Sequence, residues 1–100
     1  MDLSDTCKLV GQAYTTDSIG VQTAVETLSE IYCQIESVTG SEFFEAGRNG
    51  IKAQKRVTVY ADEYSGERIV ELNGERFGVY RTFEPKNGMI ELYLEEKAGV

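Results

Sequence analysis

The side chains best suited to chemistry are two cysteines, Cys7 and Cys33, and a scatter of carboxylates, in a chain that has no histidine. Without imidazole the commonest general base, the commonest zinc ligand and any Ser-His or Cys-His nucleophile pair are missing. Two thiols alone do not build a structural zinc site. Cys33 has no basic neighbour in sequence to lower its pKa, so both cysteines read as free thiols packing as small hydrophobes. Glu30, Glu36, Glu71 and Glu91 fall on solvent-facing strand positions, where solubility explains them better than paired acid and base roles. Asp62-Glu63-Tyr64-Ser65-Gly66-Glu67 superficially resembles a calcium loop but lacks oxygen ligands at alternate positions. No glycine pattern stands between a strand and a full helix, where a phosphate cradle would need it. The expectation is a protein that is not an enzyme and uses no catalytic residue, metal or cofactor.

A chain of 100 residues is expected to form one domain, residues 1–100, with one modest core and flexible ends at 1–5 and 96–100. Its start, Met1-Asp2-Leu3-Ser4-Asp5, has neither the positive nor the apolar segment of an export signal, and no apolar run is long enough to span a bilayer. A cytoplasm-like compartment is the expectation. The net charge of −7 opposes attraction to nucleic acid phosphates and to anionic membranes. Only Lys52, Lys55 and Arg56 cluster among the basic residues, and a solvated strand entry accounts for them.

The positioning elements read as strands. Residues 6–14 alternate Cys7, Leu9, Gly11 and Ala13 against Lys8, Val10, Gln12 and Tyr14, and residues 28–38 set Ile31, Cys33 and Ile35 inward. Asp17-Ser18-Ile19-Gly20 turns the chain between them, and pairing about that turn would bring Cys7 near Cys33. Residues 55–61 form a third strand with Val57 and Val59 inward, and residues 67–72 a fourth. Asn73-Gly74 predicts a type I′ hairpin with Val70 opposite Phe77 and Glu71 opposite Arg76. Pro85-Lys86-Asn87-Gly88 predicts a second hairpin that sets Phe83 against Ile90, Val79 against Leu94 and Tyr80 against Tyr93. That register puts Arg81 on the apolar face opposite Leu92, a local conflict. A bulge, a barrel-end position or a salt bridge to a neighbouring subunit would each resolve it. The sum is an all-β fold, a small antiparallel barrel of about six strands.

Residues 41–50 interrupt this alternation as a short helix inserted between strands two and three, in a loop spanning 39–54. Thr39 or Ser41 can cap it, and Glu42 and Glu45 suit its N-terminal dipole. It is too short to stand alone in water, so it must pack on something or order on assembly. Phe43 and Phe44 point in different directions, and an exposed aromatic beside Arg48 has the composition of an interface anchor. Both phenylalanines plugging the barrel is the competing reading. By parity Tyr32, Tyr60, Tyr64, Tyr80 and Tyr93 lie outside. The candidate partner surface is Ser41, Phe43, Phe44, Arg48, Ile51 and Lys52, with Arg81 on the barrel.

The order of elements carries a resemblance. A strand ending Glu36-Ser37-Val38, then Gly40-Ser41-Glu42-Phe43-Phe44-Glu45-Ala46-Gly47, then Val57-Thr58-Val59-Tyr60, resembles the bacteriophage head-tail joining (head-closure, stopper or connector) proteins. Arg68-Ile69-Val70, the hairpin Asn73-Gly74-Glu75-Arg76-Phe77 and the strand Ile90-Glu91-Leu92-Tyr93-Leu94-Glu95 extend the likeness over residues 7–96, with a departure at Ala53, where a proline is expected. The resemblance implies a barrel that assembles with itself into a ring in the virion neck, built in the host bacterial cytoplasm. Its partners would be a portal or adaptor protein and a tail protein, with double-stranded DNA passing through without tight binding and no membrane involved. The loop at 39–54 would serve ring contacts or channel closure. The alternative, from the barrel alone, is an OB- or SH3-like module whose outward tyrosines stack single-stranded nucleic acid.

Overall fold

Alternation with a period of two dominates the chain, and in the computed structural model, which describes residues 3–85 and 87–96, it becomes six strands. These are β1 (Asp5–Thr16), β2 (Gln22–Ser37), β3 (Ala53–Tyr60), β4 (Ile69–Leu72), β5 (Glu75–Phe83) and β6 (Met89–Glu96), with a helix α1 (Gly40–Gly47) between β2 and β3. Every pairing is antiparallel, and the sheet closes as a barrel in the order β1-β2-β3-β6-β5-β4. Closure rests on three residues of β1, Lys8, Leu9 and Val10, which pair with Glu71, Val70 and Ile69 of β4.

The inward residues of all six strands meet in one cluster, with Leu9, Val57, Val70, Leu92 and Leu94 at its centre. Cys7 and Cys33 belong to it as free thiols. The register sets Cys7 opposite Ile31 and Cys33 opposite Asp5, so the cysteines are diagonal neighbours on one face. Contact with the Cys7 thiol, followed by burial, pushes Cys33 up and keeps it protonated. Diagonal Cα atoms lie ~7–8 Å apart in such pairs, beyond the usual disulfide span, so the pair packs rather than bridges.

The Asn73-Gly74 hairpin forms as its dipeptide predicts. Both residues take positive φ, 51° and 82°, and Val70 faces Phe77 while Glu71 faces Arg76. The second hairpin departs from its expected register. Val79 does face Leu94, but a register shift follows, and Arg81 pairs with Tyr93, Thr82 with Leu92 and Phe83 with Glu91. The expected Phe83–Ile90, Tyr80–Tyr93 and Arg81–Leu92 pairings are therefore corrected. The extra residue frees Arg81 from the apolar face, where an unpaired guanidinium would be costly, and leaves Phe83 exposed. Lys86, expected in this turn, lies outside the described residues.

Other expectations are corrected by the same geometry. Asp5 and Glu96, assigned to flexible ends, are paired in strands opposite Cys33 and Phe77; the remaining ends at 1–2 and 97–100 lie outside the described residues. Tyr93 is buried and Tyr64 packs against the core, so the exterior keeps fewer tyrosines than parity suggests. Ala13, expected inward, is exposed. Glu36, Glu71 and Glu91 are half-buried and partnered, by Arg56, by Lys8 and Arg76, and by Tyr93. Thr58 faces outward between Gln34 and Glu91, yet it is only 1% exposed and its Oγ1 has no hydrogen-bond partner among the described residues. Thr58→Val should therefore raise stability by about 1 kcal/mol, since a buried unsatisfied hydroxyl gives way to a methyl of the same shape. Thermal denaturation reads this as a gain of a few degrees; a lower melting temperature would show that an internal water satisfies the hydroxyl.

Candidate assembly interface

Two features leave the barrel wall. The first is α1, which the sequence singled out. Thr39 caps it, its Oγ1 accepting from the Glu42 backbone N–H at 3.2 Å, and Ala46 is its buried residue. Glu42 latches the helix to β5. Its carboxylate accepts the Tyr80 hydroxyl at 2.6 Å and a fork from Arg81, whose guanidinium also lies 3.8 Å over the Tyr93 ring. Of the two expectations for so short a helix, packing on something or ordering on assembly, the contacts show the first: it packs on the barrel. Neither phenylalanine holds it: Phe43 and Phe44 are 49% and 72% exposed, meeting edge to face at 5.9 Å. That outcome removes the reading in which both phenylalanines plug the barrel.

The other expected surface residues divide accordingly. Ser41, Arg48 and Lys52 are exposed, Arg48 pairing with Glu45 at 3.6 Å, whereas Ile51 is half-buried and donates its N–H to the Ala46 carbonyl. Arg81 joins this group through Glu42 of its own chain, so its salt bridge is internal. The Arg81 hydrogen bond holds the Glu42 carboxyl below its ordinary value of 4.5, against the opposing effect of burial. Burial, then the hydrogen bond and charge of Glu42, raises the Tyr80 phenol.

Arg81→Leu should therefore destabilise, by about 1 kcal/mol, because the Glu42 carboxylate left behind is largely covered. The sign of the pH dependence follows from a depressed carboxyl: the latch is at full strength above pH 4.5 and weakens as pH falls through the lower folded-state value. Urea melts of both proteins between pH 7 and pH 3 should converge on acidification. A constant gap would show that packing on Tyr93, not charge, carries the effect.

The second feature was not legible as such. β1 and β2 run on past the barrel as a two-stranded arm, six cross-strand pairs from Gly11–Thr27 to Thr16–Gln22. β2 thus starts well before the expected residue 28. The Asp17 carboxylate accepts from the N–H groups of Ile19 and Val21 and shapes the tip. The arm accounts for the longest dimension of 52 Å and for a radius of gyration of 15.1 Å, against the ~13 Å typical of this length. Arg76 braces its root, donating to Glu26 of the arm at 2.8 Å and to Glu71 of β4 at 3.2 Å. The Glu26 carboxyl is held low by that hydrogen bond.

Both faces of the arm are open. Val25 and Ala13 lie on one and Tyr14 and Ala24 on the other, with Leu28 at the root opposite Val10 and with Ile19 and Val21 at the tip. Residues 9–25 contain one charged side chain, Asp17, in a chain of which 27% is charged. That drop in charge, with Val21, Thr23, Val25 and Thr27 alternating against Gln22, Ala24 and Glu26, was the available signal. Among the described residues no three metal-ligating side chains converge, and no helix is long and apolar enough to cross a membrane. No family model matches the chain, and no curated protein matches it either.

Proposed function

We propose that this protein is a structural component of a phage or prophage neck, working by association: it forms a ring between the portal or adaptor and the tail, helps retain packaged DNA, and offers the surface on which the tail docks. The arm carries this reading. A two-stranded ribbon in water is marginal by itself, and this one exposes Tyr14 and Val25, at 65% and 43%, with Leu28 at its root 50% exposed, and no described residue covers them further. Apolar surface held out on a braced support is what an assembly element presents. The sequence likeness to head-tail joining proteins supplies the class of assembly, and the acidic chain suits a channel through which DNA slides without sticking.

The alternative single-strand-binding module keeps Tyr32 and Tyr60 as exposed rings but loses Tyr93, which is buried, and finds Tyr64 and Tyr80 half-buried, and the net charge of −7 opposes it. Light scattering and electron microscopy of the purified chain, with and without candidate portal and tail proteins, test the proposal. Rings or neck complexes are the expected result. Persistent monomers in every mixture, together with salt-sensitive binding of single-stranded DNA, would replace it with the alternative.

A further inference from the structure

The arm has two free edges as well as two open faces. β4 pairs with β1 only at residues 8–10, and β3 pairs with β2 only at residues 34–37. Among the described residues no strand lies against the outer edge of β1 at 11–16 or of β2 at 22–33. Natural sheets guard such edges with lysine, proline, bulges or a covering loop. This arm has none of the first two, and its regular pairing with no register shift excludes the third within the hairpin.

We propose that copies of this chain associate by strand addition, the free β1 edge of one arm pairing with the free β2 edge of the next. The inference rests on the self-assembly reading above and specifies its contact. Three observations select a second copy as the occupant. The first is directional: in arms that point the same way, β1 of one copy runs opposite to β2 of its neighbour, so the contact continues the antiparallel pattern of the hairpin itself.

The second is closure. Two different edges meeting make a head-to-tail contact, the kind that closes into a ring under rotation. The third is charge. A basic partner would be met by acidic residues, whereas copies of a chain of net charge −7 repel except across a neutral stretch, and residues 9–25 with their single Asp17 supply it along the whole β1 edge and the distal β2 edge at 22–25, Glu26 beyond it being paired with Arg76. Space for the incoming strand exists where the β1 edge begins: a groove of about 430 Å³ lined by Gly11, Gln12, Gly66, Glu67 and Arg68 lies in line with β4.

The test uses two single variants of the full chain, Thr15→Lys on the β1 edge and Ala24→Lys on the β2 edge, both at exposed positions that leave the barrel intact by circular dichroism. Each alone should lose at least tenfold in self-association relative to wild type. Mixed, they should form a dimer and nothing larger, because each retains the edge the other lacks. In the wild-type assembly the amides of 11–16 and 22–33 that are unbonded in the monomer should exchange hydrogen at least tenfold more slowly. Wild-type rings with unprotected edges, or rings formed by either variant alone, would overturn strand addition while leaving self-assembly standing. A wild-type chain that never self-associates would overturn both.

Discussion

Replacing residues 13–25 with the dipeptide Asn-Gly should yield a chain that melts within a few degrees of wild type and no longer assembles. Gln12 and Glu26 are cross-strand partners, so a two-residue type I′ loop between them reproduces the arrangement in which Asn73-Gly74 joins Leu72 to Glu75. Glu26 stays in place for its hydrogen bonds with Arg76. The barrel loses little, because the deleted side chains are exposed on both faces and none belongs to the core cluster. Assembly loses everything the arm offers. Light scattering of the variant decides between the two features that leave the wall: if it still forms rings, the contact lies elsewhere, and Phe43→Ala with Phe44→Ala becomes the informative pair. Those rings are exposed, so the double variant should fold, and a loss of assembly in it alone would assign the contact to α1.

The largest effect on stability should come from Leu92→Ala, at about 3 kcal/mol. Leu92 is fully buried on β6 opposite Val57 of β3, which is fully buried too, and Thr82 of β5 lies on its other side. Truncation leaves a cavity in a wall of paired strands, which relaxes poorly because each strand is fixed by two neighbours. Against the 5–15 kcal/mol of a typical domain, such a loss removes a large part of the total. Chemical denaturation should show a lower midpoint with an unchanged slope. A changed slope would show instead that the closed barrel has opened.

The barrel was legible because its signals are local. Alternation set Cys7, Leu9, Cys33, Val57 and Val59 inward, and Asn73-Gly74 set the register of its hairpin, since only residues tolerating positive φ fit a type I′ turn. The second hairpin was misread because a bulge has no comparable signature. Inserting one residue between Val79 and Arg81 resolves a conflict that is visible only when Arg81, Tyr93 and Glu42 are seen together. Residues 41–50 read as a helix, and the helix runs Gly40–Gly47, but the contacts that fasten it were not legible. Ala46 and Glu42 fasten it to the barrel and leave both phenylalanine rings outside, where only a partner could cover them.

By itself, then, the sequence determined the element types, the inward faces, one hairpin register and the acidic surface, because backbone propensity, period and charge belong to neighbouring residues. The tertiary structure alone decided where pairing stops. β4 follows β1 for three residues and β3 follows β2 for four, so the rest of the long β1–β2 ribbon leaves the barrel with its edges free. The lengths of pairing partners far apart in the chain set that boundary. A period of two reads the same in a ribbon as in a barrel wall, because alternation records which way side chains point and not what lies beside the strand.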